Sequence, residues 1–153
     1  GVDADPNVSA TNMEKALQSP ESLATLDVAI NNQATHFDMF GLQIGYRYTS
    51  PNSTSPIPAL TDEVIRNYEP SHEPGARLPH GWLQRDSHTI SSLDLVPLGD
   101  YVVIAGPEFA SIDPCMKAGR DFVDPDNWFG TTLGLASNQA VLVRPDQHIE
   151  KII

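Results

Sequence analysis

The chain has one cysteine, Cys115, so it holds no internal disulfide and no Cys-x-x-Cys redox pair. Nor does it contain Gly-x-Gly, the glycine pattern that lets a backbone turn approach a dinucleotide pyrophosphate. Positive charge is scarce: six Arg and three Lys stand against 20 acidic residues, a formal charge of −11. Such a surface repels phosphate backbones and anionic lipid, so neither nucleic acid nor a membrane surface is expected as a partner. No apolar run approaches the length of a membrane span, and the start lacks the basic-then-apolar pattern of a secretion signal. With a lone thiol and no disulfide framework, the expected location is cytoplasmic. The five histidines lack ligand spacing and Asp121, Asp124, Asp126 and Asn127 do not follow a calcium-loop pattern, so no metal is expected and the acidic group reads as solvated loop. No Gly-x-Ser-x-Gly elbow marks a serine hydrolase.

With 153 residues and 40% hydrophobic content, the chain has enough apolar material for one real core. A capping box at Thr11 and Glu14 predicts a helix near residues 11–18. Ser19-Pro20-Glu21 predicts a second helix, with Ser19 as cap, Pro20 in the first turn and Glu21 facing the positive end of the dipole. Leu23, Leu26, Ile30, Ala34, Phe37 and Phe40 form a stripe at helical spacing, read first as core packing, with Gly41 as the stop. Residues 42–48 alternate with period two and predict a strand, and the proline-rich residues 50–58 predict a surface loop. Residues 60–67 fit either a helical turn or a short strand. Residues 84–87 read as a turn, with a short strand and a further turn over 88–96. Residues 101–105 form an apolar, β-branched run that predicts the central strand of a sheet. Residues 140–143 and 148–153 predict a closing hairpin about the turn Arg144-Pro145-Asp146-Gln147.

The middle of the chain is the most distinctive part. Residues 68–83 read Tyr-Glu-Pro-Ser-His-Glu-Pro-Gly-Ala-Arg-Leu-Pro-His-Gly-Trp-Leu. Three prolines and two glycines exclude a helix and make a stiff segment that holds Arg77, His80 and Trp82 at low entropic cost. Those side chains either present chemistry or simply satisfy backbone carbonyls. This stretch resembles the opening of the C-terminal domain of FAD-dependent aromatic hydroxylases of the phenol and dichlorophenol hydroxylase type. His-Phe-Asp-Met-Phe-Gly-Leu-Gln-Ile-Gly-Tyr-Arg-Tyr at 36–48 and Ala-Val-Leu-Val-Arg-Pro-Asp-Gln-His-Ile at 140–149 resemble the same family in the same order.

The resemblance implies an α/β, thioredoxin-like small mixed sheet, preceded by an N-terminal helical pair. It divides the chain into a helical connector, 1–40, and a thioredoxin-like domain, 41–153. About a dozen residues separate Gly106 from the family-like stretch 119–126, so the crossover is expected to be shortened or lost. The flavin-binding half of the family is not found, and no cofactor is expected to bind this chain.

Two functions then compete. One is a free-standing relative that binds a hydrophobic small molecule and catalyses a non-redox cyclisation or isomerisation, pericyclic steps included, by holding the reacting ends together. Arg77, His80, Tyr46 and Tyr48 would then be the catalytic donors, with Ile30, Phe37, Phe40 and Trp82 as walls. The other is a non-catalytic packing and dimer-contact domain of a phenolic hydroxylase, for which a homodimer is the expected assembly.

Overall fold

The structure, a computed structural model, describes residues 4–110 and 114–153. It divides into two compact units, Gly1–Met39 and Phe40–Ile153.

The first unit is a helical hairpin. Helix α1, Pro6–Leu17, starts earlier than the Thr11–Glu14 pattern predicts, because Asp5 caps it by accepting the Asn7 N–H at 2.9 Å and Pro6 occupies the first turn. Thr11 lies inside the helix and donates its hydroxyl to the Asn7 carbonyl. Helix α2, Pro20–Phe37, begins as expected, with Ser19 accepting from the Ser22 N–H. It stops at Asp38 rather than at Gly41. The expected core role of its stripe is not met: Leu23 is 43% exposed, Ile30 58% and Phe37 85%, while α1 buries no residue at all.

The second unit opens with α3, Phe40–Gly45, where the alternation of 42–48 predicts a strand. The helix wins because Gly41 meets α4, Asp62–Arg66, backbone to backbone: a Cβ at Gly41 would stand 2.2 Å from the Val64 carbonyl oxygen. Strand-like pairing survives only at the end of that segment, as a bridge between Arg47 and Ala76. Strands β1, Trp82–Arg85, and β2, His88–Ser91, form an antiparallel hairpin closed by Asp86 and Ser87, and a 3-10 turn, Ser92–Leu95, follows.

The main sheet has four strands in the order β4-β3-β5-β6. The predicted central strand is β3, Val102–Ala105, flanked by β4, Met116–Lys117, and β5, Ala140–Val143; β6, Ile149–Ile152, completes the closing hairpin. The β3–β4 pair is parallel and the others are antiparallel. Between β3 and β4 no helix occurs among the described residues, so the crossover is short, yet its parallel strand is kept as two residues. A short helix α5, Trp128–Thr131, precedes β5. Among the described residues the core lies in this unit, around Leu78, Leu83, Ile104, Leu133, Val141 and Ile149, each essentially inaccessible to solvent.

Candidate functional site

Three segments lie side by side beneath the predicted site residues. The Tyr48 N–H donates to the Gly75 carbonyl at 2.9 Å, and Leu78 N–H to the Gln147 carbonyl at 2.8 Å, which aligns 46–48, 75–78 and 147–149. Gly75, at φ +91°, makes this approach feasible: a Cβ there would stand 2.1 Å from the Tyr48 carbonyl oxygen. The neighbouring loop is latched by Glu73, whose carboxylate accepts from the Ser53, Thr54 and Ser55 hydroxyls and the Thr54 N–H. Burial works to raise the Glu73 pKa, but these donors together hold it below the usual carboxylate value.

Tyr46 and Tyr48 meet edge to face, ring centres 5.3 Å apart, and their hydroxyls are 3.5 Å apart. Both rings lie against His148, which is 4% exposed. His148 Nδ1 sits 3.0 Å from the Asp146 carbonyl, and Nε2 is buried without a hydrogen-bond partner. The Arg144 guanidinium stands 5.7 Å from the Tyr48 ring centre and pairs with Asp146 at 2.7 Å. Burial raises the Asp146 pKa, and the His148 N–H, the His148 charge and Arg144 more than reverse it. Tyr46 is raised by its hydrogen bond to Tyr48 and Tyr68 by burial, so both phenols stay protonated at neutral pH.

Of the four predicted catalytic residues, Tyr46 and Tyr48 meet each other, and Arg77 is bridged backbone to backbone with His148 beneath them, its charge acting on Tyr46. His80 is exposed, with Nδ1 2.9 Å from the Ser91 hydroxyl and its ring edge-on to Trp82 at 4.6 Å. Trp82 is itself 58% exposed. Arg77 donates to Gln147 Oε1 at 3.0 Å. Arg77 and His80 share only a small cavity of about 50 Å³, closed by Ile44, Tyr68, Leu78 and Leu93. That is room for a water or two, against the roughly 300–1,000 Å³ of a small-molecule site. Phe40 packs edge-on to Tyr68 at 6.0 Å, while Ile30 and Phe37 line an open apolar groove on α2 with Ala29 and Ala34.

A larger cavity, about 500 Å³, lies elsewhere in the second unit, where the sequence predicts only loop. Its walls include Pro107, Gly119, Val123, Asp124, Phe129 and Leu135. The acidic group of 121–127 is not idle solvated loop at its centre, since Asp124 accepts the Trp128 and Phe129 N–H groups at 2.8 and 2.9 Å. No group of three ligating side chains suited to a metal occurs among the described residues. Nor do the described residues fit the diphosphate of FAD: the glycine that exits β3, Gly106, leads into no described helix and its Cβ position is filled by the Ser137 carbonyl oxygen, 2.3 Å away. No helix among the described residues is long and apolar enough to cross a membrane.

Residues 71–150 match the family described as aromatic-ring hydroxylase, C-terminal. The tetracenomycin A2 monooxygenase-dioxygenase of Streptomyces glaucescens is 39% identical over 124 residues, covering 67% of this chain and 20% of the relative. The 2,4-dichlorophenol 6-monooxygenase of Delftia acidovorans is 26% identical over 156 residues, covering 89% of this chain and 26% of that one. The chain thus spans about a fifth to a quarter of the length of these curated relatives. Among solved structures, the flavin-dependent monooxygenase PieE in complex with FAD and substrate superposes with a TM-score of 0.70 at 26% identity, over 99% of this chain and 30% of that one. Aklavinone-11 hydroxylase, in a ternary complex with FAD and aklavinone, gives 0.57 at 25% identity over 71% and 22%. With the family match extending over more than half of its residues, and with its helices followed by small sheets, this chain belongs to the aromatic-ring hydroxylase C-terminal family.

Proposed function

We propose that this chain is the non-catalytic C-terminal module of an FAD-dependent hydroxylase of phenolic compounds, with the flavin and the chemistry held by a separate flavin-binding half. The observation that carries this reading is the stripe of large apolar side chains along α2, of which Leu23, Leu26, Ile30 and Phe37 stand 43–85% exposed. Apolar residues at that regular spacing favour burial against another body, and a flavin-binding half supplies one. The strand order β4-β3-β5-β6, with one parallel pair and a closing hairpin, supports a pared-down thioredoxin-like sheet with no redox cysteine pair. A free-standing cyclase or isomerase would need Arg77 and His80 to face a cavity the size of its hydrophobic substrate, and theirs is about 50 Å³.

Intact mass and the visible spectrum of the product purified from its native host test this. A product several times heavier than the chain, or a tight complex, with yellow flavin absorbance is the expected result. A colourless product near 16.7 kDa with no flavoprotein partner would overturn it and return attention to non-redox turnover. In an isolated preparation of the chain, Arg77→Ala and His80→Ala should leave no catalytic phenotype to lose.

A further inference from the structure

The cavity of about 500 Å³ in the second unit serves none of the roles above. It sits where the end of β3, the exit of β4 and helix α5 converge, and glycine keeps it open. Gly119, at φ +80°, has nothing within 4 Å of the position a Cβ would take. At Gly130 a Cβ would stand 2.7 Å from the Asn127 amide, and at Gly106, beside the lining residue Pro107, 3.0 Å from the Phe129 ring. Side chains at these three positions would crowd the walls or intrude on the space.

The lining has an apolar wall and a polar one. Pro107, Val123, Phe129 and Leu135 offer flat and branched apolar surface suited to a ring. On the polar wall Asp124 presents a carboxylate already fixed by two backbone N–H groups, the Ser137 hydroxyl is committed as donor to Glu108 Oε2 at 2.6 Å, leaving its lone pairs, and the Asn127 carboxamide offers both a donor and an acceptor. The nearby cations are committed elsewhere, Lys117 to the Phe109 carbonyl and Arg120 to Asp121 and the Cys115 carbonyl. An anion placed in the cavity would meet the like charge of the Asp124 carboxylate.

From this we infer that the cavity is a binding site for an uncharged ring compound bearing a hydroxyl donor, with the ring against Phe129 and Leu135 and the hydroxyl donating to Asp124. The site is separate from Arg77 and His80 and needs no flavin. Amide NMR of the full 153-residue chain tests it, with 2-naphthol as probe and 2-naphthoate as its anionic counterpart. Saturable shifts from 2-naphthol, centred on Gly119, Phe129, Gly130 and Leu135, are expected, with 2-naphthoate at least about tenfold weaker. Val123→Trp, at an exposed position on the rim, and Ser137→Leu should each weaken 2-naphthol by about tenfold or more while the remaining spectrum keeps its dispersion. Absence of saturable shifts, shifts confined to the α2 groove, equal binding of the naphthoate, or two folded variants that bind as the parent chain does would each overturn the assignment.

Discussion

Gly75 and Gly99 adopt nearly the same backbone, φ +91° and +87°, but in different surroundings. Around Gly99 nothing lies within 4 Å of a Cβ position, whereas at Gly75 the Tyr48 carbonyl oxygen would be 2.1 Å away. Gly99→Ala should therefore cost only the left-handed backbone penalty, about 1–2 kcal/mol. Gly75→Ala adds displacement of a paired backbone and should cost about 2–4 kcal/mol, read from urea midpoints at constant slope. Equal losses would mean that residues 46–48 are not held as described. A second residue-scale effect concerns Asp121, whose carboxylate accepts the Lys117 N–H and the Arg120 Nε–H, each at 2.8 Å. Its hydrogen bond from Arg120, then the one from Lys117, hold its pKa below the ordinary 3.8. A depressed carboxylate contributes stability that is present above the unfolded value and is lost as pH falls through the folded one. The stability gap between the parent chain and Asp121→Asn should thus be open at about pH 6 and narrow below about pH 4. A gap that stays constant with pH would show that the charge contributes nothing.

At the scale of elements, the β1–β2 hairpin turns on Asp86 and Ser87, both at positive φ, 50° and 65°. That is the geometry in which Asp-Gly or Asn-Gly is preferred, and Ser87 pays a steric cost that glycine avoids. Ser87→Gly should raise stability by about 0.5–1 kcal/mol in a thermal or urea melt, and a loss would mean that the hairpin turns some other way. The same turn illustrates what sequence could reveal. Residues 84–87 read as a turn because polar residues separate two short runs, but the strand boundary, inside that stretch at Arg85, depends on pairing with His88. Strand β3 and the β5–β6 hairpin were legible because β-branched runs and Arg144-Pro145-Asp146-Gln147 each fit one structure. Helix α3 was not, since Gly41, Leu42 and Ile44 satisfy a helical face as readily as alternation, and the close approach to Val64 that decides between them is a tertiary fact. For the site, the sequence placed Arg77 and His80 within one stiff segment, and they do share a cavity; nothing in the pattern reports that it is only about 50 Å³. The larger cavity was hidden because glycines, prolines and Asp124 read as loop whether they enclose space or not.

For the whole molecule, the question is where the folding free energy resides. Among the described residues the buried apolar side chains run from Ala76 to Ile149, all in the second unit, while α1 buries none and Leu23, Leu26, Ile30 and Phe37 of α2 are exposed. Burial of apolar surface is the dominant favourable term, at about 25 cal/mol per Å², so a unit with a continuous core supports itself and a two-helix hairpin without one does not. Residues 40–153 expressed alone should accordingly fold, with an unfolding free energy extrapolated to water within about 1 kcal/mol of the full chain's and a higher yield of soluble protein, because the α2 stripe has been removed. Residues 1–39 alone should show little helix by circular dichroism, being a pair of helices that meet without a buried core between them among the described residues. If instead the 40–153 fragment were insoluble or unfolded, the hairpin would be part of the core's support, and its exposed leucines and phenylalanine would need a different account. A folded fragment that has also lost the ability to associate with a flavin-binding half would locate the contact on residues 1–39, and loss of association in the full chain carrying Ile30→Ser and Phe37→Ser would narrow it to the α2 stripe.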